Sequence, residues 1–141
     1  MAVTSEATTI WLGDLTSGSG TTSLDSSDAA EFPVSWAARA EGVTGKTNPE
    51  ELLGAAHSAC FSMAFSAELT KAGFPPESLQ VTAAVTFVPG EGITGSHLLV
   101  SAKIPGITEE DFQRIAEDAK ANCPVSKALG GTPITLEAAL A

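Results

Sequence analysis

The spacing of apolar and polar positions predicts strands toward both ends of the chain and one long helix between them. Residues 7–12 (ATTIWL) read as a strand turned by Gly13 and Asp14, and residues 18–24 (GSGTTSL) as a second, more polar strand. Residues 25–31 form a loop. In residues 32–40 (FPVSWAARA), Pro33 disfavours a central strand. An edge strand or extended segment is therefore expected near Val34–Trp36, leading to Arg39. A glycine-containing loop over residues 41–47 feeds the stretch NPEELLGAAHSACFSMAFSAELTKAG, residues 48–73. Asn48 suits an N-cap, Pro49 the first helical position, and Glu51 the far corner of a capping box. Lys71 and Gly73 mark the end. Roughly 24 residues at 1.5 Å rise make a rod of about 36 Å. Its middle is small or apolar nearly all round, through Leu52, Leu53, Ala55, Ala56, Ala59, Phe61, Met63, Ala64, Phe65 and Ala67. Such a helix is expected to be buried on several sides.

Beyond it, Leu79, Val81, Ala83, Val85 and Phe87 alternate with polar or small residues. A turn at residues 89–92 and a returning strand over 93–104 complete a long β-hairpin. Thr108 caps a second helix, with Asp111 three residues on. Phe112, Ile115, Ala116 and Ala119 fall on one face of it. Asn122-Cys123-Pro124 interrupts this helix, a short helical turn follows at residues 125–129, and residues 134–140 read as a last strand. No repeat or interior linker divides the chain. The expectation is a single domain over residues 1–141, of α+β class, with two main helices against mostly antiparallel sheet.

Composition narrows the partners. The chain has 141 residues, 43% of them hydrophobic, and a net charge of −10, which fits one domain with a real core. Phosphate contacts need Lys and Arg, so neither nucleic acid nor an anionic membrane surface is an expected partner. The first ten residues lack a basic region followed by an apolar core, and His57, several serines and Glu68 interrupt the long helix. Neither a signal peptide nor a membrane span is expected, and a cytoplasmic location follows. In a reducing compartment two cysteines point to catalysis or inertness rather than a permanent staple.

Cys60 lies near the centre of the long helix, with His57 three residues back on the same side. The two could be metal ligands, but zinc needs three or four, and the only other histidine is His97. Read alone, Cys60 is equally a small buried hydrophobe. Pro124 pushes Cys123 out of helical geometry, toward the N-terminal end of the following turn, where free N–H groups favour a thiolate. By that argument Cys123 is the more acidic thiol, and Cys60 needs a nearby cation to react. The chain has two arginines, Arg39 and Arg114. Arg114 is expected to face solvent, so Arg39, beside Trp36, is the better candidate. Capping and the helix dipole explain Glu50 and Glu51 as they stand. Glu50 and Cys60 are ten residues apart, roughly 15 Å along an unbroken helix. A site using both needs a broken helix or a second chain, and a two-fold dimer is the simpler solution.

Residues 48–65 (NPEELLGAAHSACFSMAF) followed by 122–129 (NCPVSKAL) closely resemble the OsmC/Ohr family, the osmotically inducible protein C and organic hydroperoxide resistance proteins. The resemblance runs from Trp11–Asp14 to the final strand, and Arg39 within ARAEG resembles the OsmC branch. It implies an intertwined homodimer with two central helices wrapped by sheet and two sites at the subunit interface. It also implies a thiol-dependent peroxidase for organic hydroperoxides and hydrogen peroxide. Cys60 then matches the peroxidatic cysteine and Cys123 the resolving one. Arg39 matches the arginine that holds the thiolate, and Glu50 the glutamate that pairs with it. A Cys60–Cys123 disulfide would form in turnover and be reduced by an external thiol, such as a lipoylated protein or another dithiol. No cofactor or metal is implied. This order of cysteines opposes the helix-end argument. Two other readings stand beside it: a dimeric small-ligand binder with inert cysteines, and a general disulfide oxidoreductase, against which the missing Cys-x-x-Cys counts.

Overall fold

The computed structural model describes the whole chain, Met1–Ala141. It is built as two compact units, Met1–Leu52 and Leu53–Ala141.

In the first unit, β1 (Ala7–Leu12), β2 (Ser19–Leu24) and β3 (Glu31–Val34) form an antiparallel sheet in the order β1-β2-β3. Pro33 pairs with Thr21 on the edge strand β3, where its missing N–H is tolerated. The extended reading of Trp36 is corrected: Trp36–Ala40 is a short helix, α1. The Ser35 hydroxyl accepts from the Ala38 N–H at 3.1 Å, and three alanines among the five residues favour the helix it starts. The chain then returns beside β3, where Thr47 N–H donates to the Pro33 carbonyl at 2.8 Å.

The long helix α2 spans Pro49–Lys71 and stops at Gly73, whose φ of +91° suits glycine. The second unit holds most of it, together with β4 (Ser78–Val88), β5 (Gly92–Lys103), α3 (Glu109–Asn122), α4 (Pro124–Ala128) and β6 (Ile134–Leu140). Strands β4 and β5 are the expected antiparallel hairpin. β6 pairs parallel to β5, and α3 and α4 supply the crossover that a parallel return requires. As expected, Thr108 caps α3, its hydroxyl accepting from the Asp111 N–H at 3.2 Å. The core of this unit joins Phe61, Phe65 and Leu69 of α2 to Leu98, Val100 and Ala102 of β5 and to Phe112, Ile115, Ala116 and Ala119 of α3. Phe65 packs its ring 5.4 Å from Phe61 and 5.8 Å from Phe112, centroid to centroid.

Burial of α2 on several sides does not hold within one chain. Gly54, His57, Phe61, Phe65 and Leu69 form one buried stripe, spaced by three or four residues. Ala55, Ala56, Ala59, Met63 and Ala67 are exposed, and Met63 is 73% accessible. The apolar composition is real, but one chain covers only half of it.

Gly54 shows how closely α2 approaches the sheet. A Cβ there would lie 2.8 Å from the Ala83 carbonyl oxygen of β4. Alanine gains helix propensity at this position, but two backbones would have to separate. Gly54→Ala is expected to lower stability by about 1–3 kcal/mol, measured as a lower urea midpoint with an unchanged slope.

Candidate active site

Asn48 organises the candidate residues of the first unit. Its side-chain oxygen accepts from the Glu51 N–H at 2.8 Å, capping α2, and its amide nitrogen donates to the Ala38 carbonyl at 2.9 Å. One side chain therefore ties the start of α2 to α1, the helix that carries Arg39. Glu51 does not close the expected capping box; its carboxylate instead accepts the Thr47 hydroxyl at 2.5 Å. Glu50, on the next position round the helix, turns inward. Arg39 Nε and a terminal nitrogen donate to Glu50 Oε1 at 3.0 and 2.8 Å. The carboxylate is almost fully buried, while the guanidinium side chain stays 31% accessible. A desolvated carboxylate bound through two N–H groups fixes the plane of the guanidinium. Beside it, Trp11, Leu15, Val34, Trp36 and Leu52 line an apolar cavity of about 350 Å³ that reaches Arg39.

The second unit brings the thiols together. α3 ends at Asn122, Cys123 leaves helical geometry at φ −56° and ψ 124°, and Pro124 opens α4. This is the break expected from the Cys-Pro step. Cys123 is fully buried, Cys60 of α2 partly so, and their sulfurs lie 3.0 Å apart. Both are free thiols. A disulfide of about 2.05 Å needs roughly 1 Å of further approach.

The surroundings separate the two thiols. Burial pushes Cys60 up and its hydrogen bond to Cys123 acts the same way, against a Val125 N–H that favours its thiolate. Burial also opposes ionisation of Cys123. The hydrogen bond with Cys60, together with the N–H and hydroxyl of Ser126 and the N–H of Val125, outweighs it, and Cys123 comes out lowered. Inside this unit α4 therefore stabilises the Cys123 thiolate, as its place at a helix end predicts. Ionising Cys60 calls for a positive charge beyond these groups.

His57 does not turn to Cys60, as its spacing suggested. It is fully buried, with Nδ1 2.7 Å from Ser96 Oγ on β5 and Nε2 2.9 Å from Ser126 Oγ on α4. Burial lowers its pKa, so the ring is neutral at pH 7. The sequence does not single out Ser96 or Ser126. The one available signal is a histidine on the buried stripe of α2, which needs polar partners. No three or more His, Cys, Asp or Glu side chains gather in a way that could hold a metal ion. Arg114 faces solvent in an ion pair with Asp111 at 2.9 Å, as expected.

Residues 42–138 match the family described as OsmC-like protein, and the Peroxiredoxin OsmC of Escherichia coli K12 is 46% identical over 84% of this chain and 85% of its own. The chain belongs to the OsmC-like family. The organic hydroperoxide resistance protein OhrA of Bacillus subtilis is 32% identical over 72% of this chain and 73% of its own. Among solved structures, the organic hydroperoxide resistance protein OhrB of Bacillus subtilis superposes with a TM-score of 0.71 at 26% identity, covering 97% of this chain and 98% of that one. An OsmC-like protein of unknown function from Vibrio cholerae superposes with a TM-score of 0.77 at 18% identity, covering 98% of this chain and all of that one, and shares the fold. The OsmC-like α+β fold is therefore the fold of this chain, with the four residues singled out from the sequence gathered as two close pairs. Arg39 and Glu50 meet in the first unit, and Cys60 and Cys123 meet in the second. No helix is long and apolar enough to cross a membrane.

Proposed function

We propose that this OsmC-like protein is a cysteine peroxidase that reduces organic hydroperoxides, and hydrogen peroxide, at the expense of a thiol reductant in the cytoplasm. The observation that carries the reading is the pair of unbonded sulfurs 3.0 Å apart, on elements separated by 63 positions in sequence. Two thiols so placed, in a chain akin to peroxiredoxin OsmC and to organic hydroperoxide resistance proteins, suit two-electron chemistry.

In this mechanism the Cys60 thiolate attacks one peroxide oxygen. A sulfur–oxygen bond forms, the oxygen–oxygen bond breaks, the alkoxide leaves and takes up a proton, and Cys60 becomes a sulfenic acid. Cys123 then attacks the sulfenic sulfur. The sulfur–sulfur bond forms, the sulfur–oxygen bond breaks, and water is released. A dithiol, as a lipoylated protein would provide, returns both cysteines to thiols by exchange. Arg39 supplies the positive charge that ionises Cys60, and Glu50 holds its guanidinium in one orientation. The apolar cavity beside Arg39 suits the organic part of a hydroperoxide.

The working form is a homodimer, because the uncovered apolar face of α2, with Met63 at its centre, is what a second copy would bury. Both units of the chain then act as one domain in one site. The test is loss of cumene hydroperoxide in the presence of dihydrolipoamide. Catalytic, protein-dependent loss is expected; a protein that consumes no peroxide, and whose Cys60 alkylates no faster than free cysteine, would instead be a ligand binder with inert thiols.

A further inference from the structure

The mechanism leaves one buried titratable group unused. His57 is 0% accessible, Ser96 2% and Ser126 6%, and they form a continuous line: Ser96 Oγ, 2.7 Å to Nδ1, the ring, then 2.9 Å from Nε2 to Ser126 Oγ. Ser126 stands in the first turn of α4, the helix that Cys123 opens, and its hydroxyl is among the groups that favour the Cys123 thiolate. The titratable group at the α4 end of this line is Cys123, at the α3–α4 junction, with Cys60 of α2 beyond it 3.0 Å from its sulfur; β5 and α4 contribute uncharged serines.

Counting protons couples the ends. A neutral imidazole has one N–H and one lone pair, and a serine hydroxyl has one proton. With the proton on Nε2, His57 donates to Ser126, and the Ser126 proton is free to point at the Cys123 sulfur. Nδ1 then accepts from Ser96. With the proton on Nδ1, the ring donates to Ser96, Nε2 takes the Ser126 proton, and Ser126 can only accept from a protonated thiol. One tautomer matches the Cys123 thiolate and the other the thiol. We propose that His57 is a positioning residue for Cys123, aiming the Ser126 hydroxyl at its sulfur so that Cys123 is ionised when it attacks oxidised Cys60. The role in resolution rests on the peroxidase reading; the hydrogen-bonded line and its effect on Cys123 do not.

The test therefore avoids turnover. In a Cys60→Ser background Cys123 is the single thiol, and its ionisation is followed against pH by the ultraviolet absorbance of the thiolate. His57→Phe and Ser126→Ala are each expected to move the midpoint up by about one pH unit, a thiolate fraction about tenfold smaller below it. Combining them should add nothing, because both cut the same line. His57→Gln, whose amide N–H can replace Nε2–H, should restore the parental midpoint. Midpoints unmoved by both His57→Phe and Ser126→Ala, or shifts that add, would overturn the proposal. Should His57→Phe fail to fold, Ser126→Ala still decides, since it removes one oxygen. Nitrogen-15 NMR of His57 gives a second reading. The proton should sit on Nε2 above the Cys123 midpoint and on Nδ1 below it, and a single tautomer across the midpoint contradicts the coupling.

Discussion

Replacing Cys60 by serine is expected to abolish peroxide reduction, lowering kcat/KM by at least about a thousandfold, because no other group takes over a lost nucleophile. The exchange is nearly isosteric and the site is only partly buried, so the fold should persist with an unchanged circular dichroism spectrum. The variant discriminates between thiols with unusual sharpness here. Cys123 is the sulfur that α4 helps to ionise, and it stays in place when Cys60 is removed. If acidity alone chose the nucleophile, the Cys60→Ser protein would keep most of its rate. If Cys60 is the nucleophile, the more acidic partner cannot substitute for it, being fully buried where a hydroperoxide cannot reach. The measurement is steady-state loss of cumene hydroperoxide with dihydrolipoamide in excess.

The second large effect belongs to Arg39. An opposite charge close to a thiol lowers its pKa by about 1–3 units. Because the thiolate fraction cannot exceed one, Arg39→Ala should accordingly slow peroxide reduction at pH 7 by about tenfold to a hundredfold. The sign of the pH dependence follows. Burial and its Cys123 neighbour hold Cys60 above the ordinary thiol value, so without the cation it ionises only in alkaline solution, and the deficit should be widest at and below neutral pH and narrow as pH rises. A structural defect would not recover with alkali. One complication is built into the pair: Arg39→Ala leaves Glu50 buried without its partner, at a cost of about 3–5 kcal/mol. The double variant Arg39→Met with Glu50→Gln removes both charges. It should regain stability and stay as slow as the single one, which separates folding from chemistry. Light scattering should show a dimer at micromolar concentration for the parent and for both variants. A monomeric parent would contradict the shared-site reading.

The outline of this site is readable in the sequence because it is written in backbone chemistry. Asn48 and Pro49 announce where α2 begins, Gly73 where it ends, and the Cys123-Pro124 step where α3 must give way to a new helical turn. Charge counting points to Arg39, since Arg114 has a nearby acid and a polar helix face. What escapes depends on neighbours distant in sequence. Residues 34–36 look extended because Pro33 dominates the local pattern, whereas the Ser35 cap starts a helix at Trp36. The small residues of α2 predict burial all round, yet composition cannot say whether one chain or two provides the cover. The parallel return of β6 leaves no local trace, because it follows from where α3 packs. Ser96 and Ser126 are ordinary serines until folding sets each against a ring nitrogen of His57, 39 and 69 residues away.

Two sulfurs that are reduced and adjacent before the reaction must be joined after it. One equivalent of cumene hydroperoxide added to the reduced protein, without reductant, tests this directly by thiol counting and peptide mass spectrometry. Both thiols should disappear together, the protein should become lighter by two hydrogens, and a peptide pair linking Cys60 to Cys123 should appear. Peroxide left unconsumed, or a Cys60 driven to sulfinic acid while Cys123 remains a free thiol, would contradict it.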